Sequence, residues 1–176
     1  MKILCFDLET TNLDADYGII LCAVFKEVGK KMTVLRLDES PGYKTSPWSD
    51  KWLVGQIKTL VEHSDIIVSW NGKRFDIPFL QTRLAYHKLQ PVKEQKHMDL
   101  LYAARNNYRL HSNRLASVSE FLGTAEQKNR IDGTRWMKAL TGNKTAMNYI
   151  ALHCKKDVVV LEQVYDKLKD LVKNIK

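Results

Sequence analysis

Three strand-like segments follow one another in the N-terminal part of the chain, and this succession limits the fold more than any other feature. They read KILCFDLE, GIILCAVFKEV and KKMTVLRLD, and each is rich in apolar and β-branched side chains. Short connections join them, one of them a turn around Gly29, so an antiparallel meander is the simplest pairing. The sequence therefore predicts one half of a sheet before any helix.

The chain then alternates between helix and strand patterns. A loop, ESPGYKTSPWS, leads to a helix over SDKWLVGQIKTLVEH with Ser49 as its N-cap. A short buried strand, SDIIVSW, precedes a second helix, FDIPFLQTRLAYHKL, whose first turn holds Pro78. A strand that follows a crossover helix usually pairs in parallel with an earlier strand.

Helical patterns dominate after Pro91. One more short strand is predicted near Lys96–Met98, and helices are predicted over HMDLLYAARNNY and RLASVSEFLG, with Gly123 as a helix stop and a turn at Asp132. The predicted fold class is α/β. Its mixed five-stranded sheet has three antiparallel strands first and parallel strands after them, and helices flank it.

Composition and charge narrow the classes of function. A chain of 176 residues suits a single domain over residues 1–176. The net charge of +8 and the pI near 9.3 favour a polyanionic partner such as nucleic acid. Cys5, Cys22 and Cys154 form no CxxC pair, which argues against a zinc site and for a reducing compartment. The longest apolar run, Ile19–Phe25, is too short to span a bilayer, so we expect a soluble cytoplasmic protein without a membrane role.

Acidic residues stand at the ends of two predicted strands. Asp7 and Glu9 are two residues apart, so both carboxylates lie on one face of the first strand. Neighbouring carboxylates repel each other unless a cation lies between them. The alternative is that one of them caps the following turn. Asp76 is either a helix-terminal acid beside Phe75 or part of a site built at the strand ends.

A fourth acid, Asp157, lies in the segment HCKKDVVVLEQVY. Apolar residues recur there at helical spacing, and His153 precedes Asp157 by four residues on the same helical face. One interpretation is that the helix opens at His153 and that Asp157 complements the helix dipole. The other is that the helix crosses the sheet and brings Asp157 beside Asp7. Converging carboxylates suit Mg²⁺ or Mn²⁺, and two such ions are the usual apparatus for phosphodiester cleavage.

The segments FDLETTNL, NGKRFDIPFL and HCKKDVVVLEQVY resemble, in this order, the three motifs of the DEDD superfamily of 3′–5′ exonucleases, which has a ribonuclease H-like fold. The middle segment is most similar to the proofreading domain of family B DNA polymerases. No polymerase domain follows it in this sequence. The resemblance therefore implies a stand-alone version of that exonuclease domain.

The resemblance assigns roles to the acids. Asp7 resembles the acid that bridges two Mg²⁺ or Mn²⁺ ions, and Glu9 and Asp157 resemble ligands of the first ion. Asp76 resembles the acid that holds the second ion, near the leaving group. Asn71 matches the asparagine of the second motif and is expected to shape the turn or touch substrate.

His153 departs from both known patterns of the superfamily. One branch has Tyr four residues before the last Asp, and the other has His five residues before it. Here His153 stands at minus four and Leu152 at minus five. We expect His153 to accept a proton from the attacking water, and the alternative is that it packs beside Cys154. Tyr149 is a weaker candidate for the tyrosine role.

Several residues are candidates for substrate contacts. Thr10, Thr11 and Leu13 match positions that hold the 3′ end in the family. Phe75 and Trp70 are candidates for base stacking, with a place in the core as the alternative.

Basic residues concentrate between Arg83 and Arg114, where tyrosines are interleaved with them. Arg109 and Arg114 lie in a loop that either grips phosphates or is simply solvated. A second, weaker cluster consists of Lys128, Arg130 and Arg135. Asp99 is either a fifth acid of the site or a helix cap.

The resemblance implies a metal-dependent 3′–5′ exonuclease. Its substrate would be single-stranded nucleic acid, DNA before RNA, and its product nucleoside 5′-monophosphates. Two alternatives stay open: an impaired nucleic-acid-binding module of the same fold, and a structure-specific or ribonuclease H-type endonuclease. A replication or repair protein is a further candidate partner, and the sequence does not indicate an oligomeric state.

Overall fold

The computed structural model describes residues 1–124 and 133–172. In chain order its strands are β1 (Ile3–Thr10), β2 (Ile20–Glu27), β3 (Met32–Arg36), β4 (Ile66–Ser69) and β5 (Lys96–Asp99). Its α-helices are α1 (Lys51–Glu62), α2 (Asp76–Tyr86), α3 (Leu100–Asn107), α4 (Leu115–Phe121), α5 (Gly133–Leu140) and α6 (Lys144–Leu168). Short 3₁₀ turns at Leu37–Glu39 and Lys169–Leu171 follow β3 and α6.

The five strands form one mixed sheet in the order β3-β2-β1-β4-β5. Strand β2 pairs antiparallel with both β1 and β3, whereas β4 is parallel to β1 and to β5. The predicted α/β class and the predicted succession of antiparallel and parallel strands are therefore confirmed. The register of β1 against β2 shifts between Glu9 and Thr10, which is where the acids of the first motif lie. Such bulges bend a strand and redirect its side chains.

Helices cover the sheet and bury its central strands. Helix α6 packs on β1, β2, β3 and β4, while α1 packs on β2, β3 and α2. The first six residues of β2, ILCAVF, are all buried, as expected for a central strand with both faces covered. Among the described residues, none of the helices is both long and apolar enough to cross a membrane.

The start of α1 differs from the prediction. Asp50, and not Ser49, occupies the N-cap position, and its side chain makes no capping hydrogen bond. Its carboxylate instead accepts hydrogen bonds from Ile20 N at 3.0 Å and from the Arg83 guanidinium at 2.8 Å. A buried Arg needs a carboxylate partner more than a helix terminus, open to water, needs a cap.

The start of α6 also differs from the prediction that it opens at His153. The helix begins at Lys144, and the Asn143 side chain caps it by accepting from Ala146 N at 2.9 Å. His153 and Asp157 therefore lie mid-helix, and the interpretation of Asp157 as a first-turn acid is wrong. The helix dipole acts mainly in the terminal turns, so it does not explain an acid at this place.

Two smaller assignments concern helix ends. The segment HMDLLYAARNNY divides into the end of β5 and helix α3, and Asp99 caps α3 by accepting from Leu101 N at 3.2 Å. The capping interpretation of Asp99 is thus confirmed. Gly123 follows α4 with a positive φ of 65°, as a helix stop requires. The predicted turn at Asp132 lies outside the described residues.

Candidate active site

A cavity of about 860 Å³ opens where β1 and β4 end, and we call it the acid cleft. It is lined by residues from β1, from the turn after β4, from the start of α2, from the start of α4 and from the middle of α6. Asp7, Glu9, Asp76, His153 and Asp157 all belong to this lining. The fold thus brings together all five residues predicted as catalytic, although up to 150 residues separate them in sequence.

Asp7 and Glu9 alternate along β1 with Leu8, so both carboxylates face α6. The Cys154 thiol lies 3.4 Å from the Asp7 Oδ2 atom and 3.4 Å from the Asp7 carbonyl oxygen. Burial raises the pKa of the Cys154 thiol well above its ordinary value, with Cys22, Asp7 and Glu9 adding to the rise. The thiol therefore keeps its proton and donates it, weakly, towards Asp7.

His153 points at the acids and not along the wall of the cleft. Its Nδ1 atom lies 3.2 Å from Glu9 Oε1 and 3.5 Å from Asp157 Oδ2. The imidazole is 8% exposed. The contact with Asp157 is possible because residues four apart on a helix share one face, whereas Glu9 reaches His153 from β1. The alternative that His153 merely packs beside Cys154 does not describe this geometry.

Asp76 enters the cleft from the first position of α2 and is 4% exposed. Its Oδ1 atom accepts a hydrogen bond from Leu8 N at 3.1 Å, which ties α2 to β1. Burial is the main cause that raises the pKa of Asp76 to about 7, and the charges of Asp99 and Glu9 add to the rise. Without a cation nearby, ionisation of this carboxyl in the folded protein costs free energy.

The turn after β4 holds Asp76 in place. Asn71 has a positive φ of 67°, and its N–H donates to Asp99 Oδ1 at 2.8 Å. A Cβ on Gly72 would lie 2.3 Å from Ser69 Oγ and 3.2 Å from Asp76 Oδ2, so only glycine fits there. Asp99 also accepts from Lys73 N at 3.0 Å. Asp99 thus supports the turn and lies outside the lining of the acid cleft.

The donor set suits a divalent ion. The ligand atoms of Glu9, His153 and Asp157 lie within 4.8 Å of one another, and so do those of Asp7, Glu9 and Cys154. Carboxylate oxygens are the ligands of Mg²⁺ and Mn²⁺. Asp76 belongs to neither group but lines the same cleft.

The predicted substrate residues divide between two cavities. Asn71, Phe75, Trp70 and Arg114 line the acid cleft. Thr10, Thr11 and Leu13 line a second cavity of about 450 Å³, which shares Leu8, Glu9 and Phe75 with the first. Trp70 and Phe75 are partly buried and pack on the core, and both line the acid cleft, so base stacking by either of them stays a prediction.

Other predicted residues lie elsewhere. Arg109 is exposed and is not part of the lining of the acid cleft. Arg83 is buried in an ion pair with Asp50 at 2.8 Å, so it belongs to no phosphate-binding edge. The Arg135 guanidinium stacks on the Tyr149 ring at 3.8 Å, and Tyr149 does not line the acid cleft. Lys128 and Arg130 lie outside the described residues.

Local sequence patterns carry no signal for two groups of lining residues. Leu101 and Ser117 reach the acid cleft from the first turns of α3 and α4. Trp136 of α5 lines the second cavity, where it faces the loop after β1. These residues carry no local motif, and only the packing of helices brings them to the acids.

The RNase H superfamily model matches residues 4–169. The chain belongs to the RNase H superfamily. No curated protein matches it. The structure of the family B DNA polymerase from the hyperthermophilic archaeon Pyrobaculum calidifontis is similar to it, with a TM-score of 0.68 and 17% sequence identity over 94% of this chain. The chain spans 24% of that polymerase.

These matches confirm the resemblance read from the three motifs, at the level of the fold. The chain has a nuclease-type fold. Nucleases of this fold typically use divalent metals, and the acidic cluster of this chain fits that use.

Proposed function

We propose that residues 1–176 form one domain that acts as a metal-dependent 3′–5′ exonuclease. It hydrolyses single-stranded nucleic acid, DNA in preference to RNA, and releases nucleoside 5′-monophosphates. The observation that carries the proposal is the convergence of Asp7, Glu9, Asp76, Asp157 and His153 in one cleft. The order of the three motifs along the chain and the likeness of the middle motif to family B proofreading domains support the 3′–5′ direction and the preference for DNA.

Two Mg²⁺ or Mn²⁺ ions fit the acids of the cleft. Asp7, Glu9 and Asp157 would hold one ion, and Asp7 and Asp76 the other. Such ions polarise a water molecule and stabilise the negative charge that develops on the phosphate. The raised pKa of Asp76 supports this assignment, because a nearby divalent cation is what would keep a buried carboxyl ionised beside other acids.

His153 has the chemistry of the proton acceptor. Glu9 and Asp157 are both hydrogen-bond acceptors, so the ring proton belongs on Nδ1, which faces them. This assignment fixes the orientation of the ring and makes Nε2 its basic nitrogen. Imidazole can accept a proton near neutral pH, whereas the tyrosine of the other branch can mostly orient water.

Arg114 supplies positive charge to the lining of the acid cleft. It is the residue before α4, and Ser117 lies in the first turn of that helix. Guanidinium groups bind phosphate through paired N–H donors. Arg114 therefore neutralises a phosphate of the strand next to the cleaved bond.

The test is cleavage of a 5′-labelled single-stranded DNA and of its RNA counterpart, with Mg²⁺, Mn²⁺ or EDTA. We expect a ladder that shortens from the 3′ end, depends on the metal and is faster for DNA. Asp7→Asn should abolish it. Asp166→Asn, which changes an exposed acid on α6 nine residues beyond Asp157, should not.

The alternatives give different products. Internal cuts would identify an endonuclease, and binding without cleavage would identify an impaired binding module. Either result would overturn the proposed exonuclease. Shortening from the 5′ end would overturn its direction.

A further inference from the structure

A third cavity, of about 420 Å³, lies beside the edge strand β5, and we call it the β5 pocket. Its lining comes from β5, from the turn after β4, from α3 and from the end of the chain segment that follows α6. Among the described residues, none lines both this pocket and the acid cleft. The β5 pocket is therefore a separate site, and its volume is in the range of pockets that bind small molecules.

Two basic side chains, Lys73 and His97, line the β5 pocket. Burial lowers the pKa of His97 to about 4, and the nearby charge of Lys73 adds to the effect. His97 is therefore neutral at about pH 7, and it lies close enough to Lys73 to be affected by its charge. Two basic groups that disfavour each other's positive charge are suited to an anion between them, just as the acids of the cleft are suited to a cation.

Hydrogen bonds fix the orientation of the His97 ring. Ser69 Oγ accepts from Gly72 N at 3.1 Å and lies 2.7 Å from His97 Nε2. The Ser69 hydroxyl can therefore donate its own proton to Nε2, and neutral His97 then carries its proton on Nδ1. Within the described ranges, Ser69 is the one hydrogen-bond partner of this ring. His97 thus offers an N–H donor to an occupant of the pocket.

Asp99 also lines the β5 pocket, but the backbone engages its carboxylate. Its Oδ1 atom accepts from Asn71 N at 2.8 Å and from Leu101 N at 3.2 Å, and its Oδ2 atom accepts from Lys73 N at 3.0 Å. Backbone N–H donors stabilise a carboxylate charge and compensate much of it locally. Asp99 therefore does not exclude an anion from the pocket.

The rest of the lining suits the sugar and the base of a nucleotide. Tyr102 of α3 brings a half-buried aromatic ring to the pocket, and aromatic rings stack on bases of any sequence. Asn106 adds an exposed amide, which has both donors and an acceptor for the edge of a base. Apolar surface comes from Met98, Leu171 and Val172.

We propose that the β5 pocket binds a nucleoside 5′-monophosphate, with its phosphate between Lys73 and His97 and its base against Tyr102. The identity of this ligand rests on the proposed function, which releases nucleoside 5′-monophosphates. A phosphate monoester carries about −1.5 to −2 charges near neutral pH, whereas a phosphate inside a DNA strand carries about −1. Two basic groups therefore match the released product better than they match the strand.

The turn after β4 connects the two sites. Asn71 lines the acid cleft, and Lys73, two residues later, lines the β5 pocket. Asp99 and Ser69 hold this turn by accepting hydrogen bonds from its backbone. A product bound in the β5 pocket would therefore stay next to the cleft that released it, without occupying the acids.

The test measures binding of the four nucleoside 5′-monophosphates, one at a time, by isothermal titration calorimetry in EDTA. EDTA removes divalent ions, so the acids of the cleft repel a phosphate. We expect at least one of the four to bind the wild type, about tenfold more tightly than the matched nucleoside without phosphate. Failure of all four to bind, or equal binding of the nucleoside, would overturn the proposal.

Two lysine variants locate the phosphate. Lys73→Met should weaken binding of the monophosphate by about tenfold. The matched control is Lys44→Met, because Lys44 is an exposed lysine that lines neither the β5 pocket nor the acid cleft. It should bind like the wild type. Equal affinities of the two variants would overturn the assigned position of the phosphate.

Two further measurements separate the β5 pocket from the acid cleft. Asp7→Asn should leave binding in EDTA within about twofold of the wild type. In the wild type, the NMR signals of the His97 ring nitrogens should shift on addition of the monophosphate and not of the nucleoside. This signal does not depend on the folding of a variant. Unchanged His97 signals, or binding that is lost in Asp7→Asn and kept in Lys73→Met, would overturn the inference.

Inorganic phosphate and a single-stranded DNA without a terminal phosphate test other occupants. Both should bind at Lys73 more weakly than the monophosphate, since phosphate lacks the base and the strand lacks the dianion. Equal affinity of inorganic phosphate would identify a phosphate site only and overturn the nucleotide. Equal affinity of the DNA, with the same loss in Lys73→Met, would place the strand in the pocket and overturn the monophosphate.

The two proposals fail in different ways. A metal-dependent 3′ ladder together with no nucleotide binding at Lys73 and His97 would overturn the β5 pocket alone. Nucleotide binding at these two residues together with no cleavage would overturn the exonuclease alone.

Discussion

Asp50 and Asp76 are two buried carboxylates whose surroundings have opposite character. They are 0% and 4% exposed, and each accepts a backbone N–H from a strand, from Ile20 at 3.0 Å and from Leu8 at 3.1 Å. Asp50 then receives the Arg83 guanidinium through Nε at 3.0 Å and Nη2 at 2.8 Å. His87 Nε2 lies 2.6 Å from its Oδ1 atom.

The charges nearest to Asp76 have the same sign as its own. Glu9 and Asp99 both raise the pKa of Asp76, in addition to the effect of burial. Burial by itself therefore does not identify a functional acid in this fold. The sign of the neighbouring charges distinguishes the two acids. The protein neutralises Asp50 with the Arg83 guanidinium, and beside Asp76 it leaves a position suited to a cation from solution.

The largest expected effect is on stability. Asp50→Asn leaves the Arg83 charge buried with a neutral partner, so it should lower the free energy of unfolding by about 3–5 kcal/mol. Urea denaturation measures this loss. The matched control is Asp65→Asn, because Asp65 is an exposed acid, 62% accessible in its ion pair with the N-terminus, and should cost under about 1 kcal/mol. If Asp50→Asn costs as little as Asp65→Asn, the ion pair of Asp50 with Arg83 does not stabilise the fold, contrary to our expectation.

Asp76→Asn should instead reduce activity. Loss of a carboxylate that we propose to be a metal ligand would remove several kcal/mol of transition-state stabilisation, so kcat/KM should fall by about a thousandfold. Asp50→Asn, assayed where it is folded, should stay within about threefold of the wild type, since Asp50 does not line the acid cleft. Initial rates on labelled single-stranded DNA measure both. Equal losses of kcat/KM in the two variants would show that Asp76, like Asp50, affects activity only by stabilising the folded structure.

The succession of antiparallel and then parallel strands, and the acids of β1, were predictable because they depend on local pattern. Alternation in FDLE fixes the face that Asp7 and Glu9 share, whatever the rest of the chain does. The partner of Asp50 was not predictable in this way. Arg83 is 33 residues away and lies in a segment whose basic excess suggests a nucleic-acid surface. Only the tertiary packing of α1 on α2 turns this arginine inwards.

The middle of α6 shows a second limit of local pattern. The apolar spacing around Asp157 predicted a helix correctly, but it carried no information on where that helix begins. Asn143 sets the start, ten residues before His153, through a single side-chain hydrogen bond. Trp136 is a third case, since its place beside the loop after β1 depends on how α5 packs on α6.

The pH dependence of stability in EDTA sharpens the comparison. The pKa of Asp76 is raised from 3.8 to about 7, so between these values the folded protein binds more protons at this site than the unfolded chain. The contribution of Asp76 to the free energy of unfolding is fully present below about pH 4, falls as pH rises and is lost above about pH 7. The total loss is up to about 4 kcal/mol. Urea denaturation of the wild type and Asp76→Asn, from about pH 4 to pH 8, should show a difference that grows with pH in favour of the variant.

Divalent ions provide the control for this pH series. At about pH 8, Mg²⁺ should stabilise the wild type more than Asp76→Asn, because a ligand that binds only the folded state raises its stability. A difference between wild type and variant that does not change with pH would contradict the buried, like-charged environment of Asp76.

A smaller effect is expected from the two histidines that accompany these acids. His153 lies beside Glu9 and Asp157 in the acid cleft, and His87 lies beside Asp50. His153→Gln should lower kcat by about a hundredfold, as expected for loss of a general base, with little change in the Mg²⁺ concentration that gives half the maximal rate. His87→Gln should leave kcat within about twofold. A normal rate for His153→Gln would remove it from the mechanism and leave the acids to act alone.

The smallest effect concerns two arginines of one loop, Arg109 and Arg114. Both belong to the same basic segment, but only Arg114 lines the acid cleft. In this respect Arg114 corresponds to Asp76, and Arg109 corresponds to Asp50. Arg114→Gln should raise KM for single-stranded DNA by about fivefold and reduce the slope of log affinity against log salt by about one. Arg109→Gln should change KM by less than about twofold, because an exposed side chain outside the cleft contributes only long-range attraction that salt screens. Equal effects of the two substitutions on KM and on the salt slope would mean that the bound DNA runs along the whole loop. The positive charges that contact the substrate would then extend beyond the lining of the acid cleft.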